Sequence, residues 1–137
     1  MRKTASIASI VLGVLLVAGG IGTWYVVSDT LSDQKITTSE DACLPNRSVA
    51  GPFTAYCEAK VIEKHTLEST DGLYYAELER DDPRRETALT SSFLQASLFT
   101  SILAFGVAAM AVGMGLLFIL IGMGMRDVEL RTTSRIS

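Results

Sequence analysis

Two uncharged runs constrain this chain more than any other feature: residues 7–27, and residues 87–125, the latter 39 residues long. A water-soluble core interleaves apolar and charged positions at a period of 2 or 3.6. Here the two classes are segregated along the chain, with apolar blocks at 7–27 and 93–125 and the charges before, between and after them. A helix rising about 1.5 Å per residue crosses the ~30 Å hydrocarbon layer of a bilayer in ~20 residues. Each run therefore predicts a membrane-spanning helix.

The first run follows Arg2 and Lys3 and carries Trp24 and Tyr25 near its far end, where amphipathic aromatics favour the headgroup level. A cleaved signal peptide is the competing reading, with Ala18-Gly19-Gly20 as the small-residue site. The length of the apolar run and the lack of a clean A-x-A favour an anchored helix. The second run exceeds one crossing but is too short for two crossings and a turn, and neither Pro nor a polar cluster interrupts it. It predicts one long helix, opened by an Asp82 N-cap with Pro83 at the first helical position. Residues 87–97, rich in Ser and Thr, would form the outer interface, 98–125 the span, and Arg126 the exit.

Charge orients the hairpin. The first six residues and the tail from Arg126 carry five Lys/Arg against two Asp/Glu, whereas residues 28–86 carry seven against thirteen. Orientation follows Lys/Arg close to the span ends. Arg2, Lys3 and Arg126 lie there, and on the opposite side Lys35 alone is comparably close. The expected organisation is a cytoplasmic N-terminus at 1–6, spans at 7–27 and 98–125, an extracytoplasmic loop at 28–97 and a cytoplasmic tail at 126–137. The expected location is the plasma membrane, multi-pass, with both termini inside.

Both cysteines, Cys43 and Cys57, fall in the loop assigned outside, where an oxidising compartment permits a disulfide. The alternative is two buried free thiols. Two Cys and one His in this spacing do not make a zinc site. A bridge would close a 15-residue ring containing Pro45, Gly51 and Pro52. Residues 28–41 read as extended or partly helical. Residues 53–67 read as a short amphipathic helix with Phe53, Tyr56, Cys57 and Val61 near one face. Thr70-Asp71-Gly72 is a turn signal, and residues 73–78 fit a helical turn or a short strand. The expected fold class is an all-α membrane protein: a two-helix transmembrane hairpin with a small, mostly helical, disulfide-closed extracytoplasmic loop.

Chemistry-bearing clusters are sparse. His65 is the one histidine, near Glu63 and Glu68, and two ligands do not make a selective metal site. Asp81-Asp82 reads as a helix cap before a cation site, Asn46-Arg47-Ser48 matches a glycosylation sequon, and Thr132, Thr133 and Ser134 lie near Arg in a tail expected to be disordered. No catalytic set, cofactor site, metal site or nucleic-acid footprint is expected. Uncharged spans argue against a transporter or channel acting alone, because intramembrane charges mark ion and proton paths.

Small residues four apart recur in both runs: Ser9 and Gly13, Ala18 and Gly22, Ala104 and Ala108, Ala109 and Gly113, Ala111 and Gly115. Such pairs let helices approach closely in lipid. Gly13, Gly22, Ala104, Ala108, Gly113 and Gly115 are therefore the candidate helix-contact residues, within the chain or against a partner.

The segments Gln34-Lys35-Ile36-Thr37, Gly51-Pro52-Phe53-Thr54-Ala55-Tyr56-Cys57, Tyr75-Ala76-Glu77-Leu78, Arg85-Glu86-Thr87-Ala88 and Ser92-Phe93-Leu94-Gln95-Ala96-Ser97-Leu98 resemble those of small two-span actinobacterial membrane proteins of unknown function. Proteins of that group often bear the label aromatic ring-opening dioxygenase. A facial iron site needs two His and a carboxylate, and His65 alone does not supply it. The resemblance implies an actinobacterial envelope protein and carries no activity with it. The function expected is a non-enzymatic accessory or scaffold protein whose partners are the bilayer and a membrane protein or further copies of itself. The alternative is an envelope sensor that binds a ligand through the acidic loop.

Overall fold

The computed structural model describes residues 2–134, with the side chains of residues 3–128. Arg135 and the side chains of Arg2, Glu129, Arg131, Thr132, Thr133 and Ser134, all used above, lie outside it. Three helices follow one another: α1 (Arg2–Asp33), α2 (Pro52–Ser69) and α3 (Arg85–Ser134). The described residues contain no strand beyond one isolated antiparallel bridge, Thr37 with Ser48, so the expected all-helical class is observed. By length and composition α1 and α3 each suffice to cross a membrane. The chain divides into two compact units, Met1–Tyr25 with Gly106–Ser137, and Val26–Phe105.

In the first unit α1 and α3 run antiparallel along a seam of small residues. Ser6, Gly13 and Gly20 form the α1 side, and Ala108, Gly115 and Gly122 the α3 side, all six buried. Both sets repeat every seven residues, the period of left-handed, knobs-into-holes helix pairs. The backbones nearly touch: a Cβ on Gly13 would lie 2.5 Å from the Gly115 carbonyl oxygen, and one on Gly115 would lie 2.6 Å from that of Gly13. Two hydroxyls cross the seam. Ser6 donates to the Gly122 carbonyl and Ser9 to that of Phe118, each at 2.7 Å. The tail expected to be disordered is helical through Ser134. No Gly or Pro follows Gly124 to stop α3, and Arg, Glu and Leu continue it readily.

The second unit is built around Leu31, Val49, Ala55, Ala59, Leu98 and Phe105, with Val27, Ile36, Ile62 and Ile102 packed against them. The α1 helix reaches Asp33 because Leu31 has this core to enter. It then breaks at Lys35, at φ +52. Thr38, 2% exposed, organises the segment that follows. Its N–H donates to Arg47 and its carbonyl accepts from Asn46, while its hydroxyl accepts the Arg47 N–H and donates to the Leu44 carbonyl.

At the start of α2, Pro52 sits in the first turn and the Thr54 hydroxyl accepts the Ala50 and Gly51 N–H groups. The helix ends in a Schellman closure. The Gly72 N–H reaches the Leu67 carbonyl at 2.7 Å, with Asp71 at φ +55, so the turn at Thr70-Asp71-Gly72 is present. Residues 73–78 form neither a helical element nor a strand; a turn closed from Glu77 N–H to Tyr74 carbonyl drops Leu78 into the interior. Asp82 then takes the Arg84 N–H at 2.8 Å, one residue past Pro83, but α3 opens at Arg85, so Asp82 and Pro83 precede the helix and do not fill its N-cap and first position as expected.

The apolar face read for α2 needs correction. Cys57 and Val61 are buried with Ala42, but Phe53 is 78% and Tyr56 48% exposed. The inward positions are Ala55 and Ala59, small enough to let α2 lie close on the core, so the two large aromatics are directed away.

Inserting a side chain at the seam should damage packing, since overpacking costs about 1–3 kcal/mol. Chemical denaturation should show Gly13→Leu less stable than wild type by about that amount. Gly113→Leu, where a Cβ meets nothing within 4 Å, should be at least as stable as wild type, helped by up to about 1 kcal/mol of helix propensity.

Candidate interaction surfaces

The six candidate helix-contact residues fall into two sets. Gly13, Gly115 and Ala108 lie in the seam, with the Ala108 carbonyl oxygen 2.7 Å from where a Gly20 Cβ would be. Gly22 and Gly113 face nothing in this chain, and Ala104 lines a groove in the second unit. The four-residue spacing therefore selected residues from different faces. Gly20, Gly122 and Ser6 escaped it, and the signal that finds them is the seven-residue repeat on both helices.

On α3 an outward stripe has the same period. Gly106, Met110, Gly113, Leu117, Leu120 and Gly124 are all exposed and follow one another at intervals of four and three. Their face is nearly opposite the seam, since two residues turn a helix by about 200°. On α1, Gly19 and Gly22 are likewise open.

Cys43 and Cys57 form the disulfide, with Cα atoms 5.4 Å apart, inside the normal range. The bridge brings together residues that sequence reasoning left separate. Asp41, two positions before Cys43, meets Lys64 and His65, about two turns beyond Cys57. Its Oδ2 lies 2.9 Å from His65 Nε2 and 3.2 Å from Lys64 Nζ. The imidazole hydrogen bond foremost, then that of Lys64, holds the Asp41 carboxyl below the ordinary aspartate range. Glu63, expected beside His65, instead pairs with Lys60 at 2.7 Å and accepts from the Tyr74 hydroxyl at 3.4 Å. Among the described residues no group of three or more His, Cys, Asp or Glu is placed to hold a metal ion.

A second ion cluster fixes the approach to α3. Arg84 bridges Asp82 at 2.8 Å and Asp71 at 2.7 Å, and the Arg85 guanidinium lies 4.3 Å above the Tyr75 ring. The Asp82 carboxyl is held at about 2, against an ordinary 3.8, by the Arg84 side chain and then its backbone N–H.

A groove of about 240 Å³ opens between the end of α1 and α3, lined by Val26, Val27, Thr30, Leu31, Gln34, Ser97, Thr100, Ser101 and Ala104. Three of its hydroxyls are committed to their own helices: Thr30 to Val26, Thr100 to Ala96 and Ser101 to Ser97. The groove thus offers a mostly apolar wall.

No protein-family model, curated protein or solved structure matches this chain.

Two measurements check these contacts. A 15-residue ring is worth about 3 kcal/mol in the chain-entropy account. The Cys43→Ser, Cys57→Ser variant should lose about that much in denaturant, and a reductant should reproduce the loss in the wild type. Folding lowers the Asp82 pKa, so its contribution is complete above about pH 4 and disappears as pH falls towards about 2. The stability gap between wild type and Asp82→Asn should be full at neutral pH and close across that interval in thermal melts.

Proposed function

We propose that this chain is a two-span integral membrane protein with both termini in the cytoplasm, acting as a non-enzymatic accessory or scaffold. The observation carrying the reading is the division of α1 and α3 into two kinds of face. One is closed on itself through the glycine seam. The others present Ile7, Leu15, Leu103, Met110, Leu117 and Leu120, all more than half exposed, interrupted by the open glycines Gly19, Gly22, Gly106 and Gly113. Aqueous solvent would penalise this arrangement at about 25 cal/mol per Å² of apolar surface. A bilayer removes the penalty, and the open glycines then offer positions where another helix can approach.

Lys/Arg placement supports an outer position for residues 28–97, and the disulfide agrees with an oxidising compartment there. The likeness to small actinobacterial membrane proteins supports the cell envelope as the setting.

A ligand-binding sensor has less support, since Asp41, Asp71 and Asp82 already pair with Lys64, His65 and Arg84. An iron-dependent enzyme has less still, with His65 turned to Asp41 and no second histidine in the chain.

Cross-linking and sedimentation in mild detergent test the reading. The wild type should recover a defined partner or a discrete oligomer. Gly106→Leu with Gly113→Leu should abolish that association while leaving the melting temperature no lower than that of wild type. A wild-type chain that runs as a monomer without partners would sink the proposal.

A further inference from the structure

We infer that the N-terminal turn of α2 is seated in the headgroup–acyl boundary of the bilayer through Phe53, so that the disulfide-braced outer unit rests on the lipid surface. The inference builds on the two-span reading. Phe53 is the most exposed large apolar side chain among the described residues, at 78%. It stands in the first turn of a helix whose neighbouring positions, Ala55 and Ala59, are fully buried. Its exposure is therefore a property of the direction that the turn faces, not of a loosely packed unit.

Its depth is bounded by one hydrogen bond. Ser28, the first residue beyond the uncharged run of α1, donates from Oγ to the Ala50 carbonyl at 2.7 Å. Phe53 follows Ala50 by three residues, which span at most about 11 Å of chain. This keeps the start of α2 within about 11 Å of the point where the α1 run ends, within reach of the interfacial layer.

The exposed face of α2 is graded in polarity from that point. Phe53, Tyr56 and Lys60 follow at i, i+3 and i+7: an apolar ring, then a phenol 48% exposed, then an ammonium 52% exposed and paired with Glu63. An apolar anchor, an amphipathic ring and an ion pair in sequence are the chemistry of a surface that leaves hydrocarbon through headgroups into water. Lipid is the occupant this gradient fits. A protein partner or a second copy would have no reason to match the level at which α1 leaves its uncharged run.

The test uses the full chain in nanodiscs loaded with one copy each. Trp24 is the one tryptophan, so Trp24→Phe with Phe53→Trp moves the fluorophore to the proposed anchor. An interfacial ring sits about 5–10 Å into the boundary. Lipid brominated near the headgroup end of its acyl chains should therefore cut its emission by about twofold or more, and acrylamide should quench it poorly. Equal emission in brominated and plain discs, or free quenching by acrylamide, overturns the inference. Protection that arises only with two chains per disc also overturns it and assigns the surface to a second copy. Wild-type Trp24 in the same discs separates the two readings. If it is quenched by brominated lipid and the indole at 53 is not, the spans stand and the seating fails. If Trp24 is not quenched, both fall.

Discussion

The close backbone approach along the Gly13–Gly115 seam is the contact on which the first unit depends. Neither uncharged run, 7–27 of α1 nor 87–125 of α3, has a charged side chain with which to pair, so association there falls to dispersion and to hydrogen bonds. Dispersion falls off steeply with separation, and a gap of 0.5–1 Å forfeits roughly a quarter to a half of a contact. Glycine at Gly13, Gly20, Gly115 and Gly122 removes the side chain that would impose such a gap. The Ser6 and Ser9 hydroxyls then act as register pins, because each reaches one particular carbonyl of α3.

The second unit solves a different problem. Its core is small, and its two connections must be held without long elements. Covalent closure at Cys43–Cys57 and the Thr38 hydrogen-bond hub fix the first, and the Asp71–Arg84–Asp82 cluster fixes the second. The ionic contacts lie at the surface, exposed or half-buried, and such pairs are individually weak in water. Their effect is to choose one geometry for segments that the apolar core does not reach, while the core and the disulfide supply the stability.

Much of this was legible in the residues. Unbroken runs without charge announced α1 and α3, Thr70-Asp71-Gly72 announced the end of α2, and Asp82-Pro83 announced the approach to α3. These signals are local, so sequence carries them directly. The helix contacts were partly legible. A four-residue rule found Gly13, Ala108 and Gly115 but grouped them with Gly22 and Gly113, which lie on other faces, because which period matters depends on the crossing of two helices 100 residues apart. The face of α2 was misread for a related reason. Large side chains ordinarily mark the buried side of a helix, but where α2 meets the core at Ala55 and Ala59 the close approach leaves room for alanine and not for an aromatic ring.

That last inversion has a functional meaning. A soluble domain that buried its alanines and exposed Phe53 and Tyr56 would be poorly designed by the ordinary hydrophobic criterion. The same arrangement is economical if the chain's surroundings change from hydrocarbon to water near Ser28. Small residues then serve where helices meet, large apolar ones where lipid is met, and charged ones where water is met. The exposed apolar side chains of α1 and α3, the open glycines among them, and the graded face of α2 follow from this single partition. Read as a soluble protein, the same features would need three unrelated explanations.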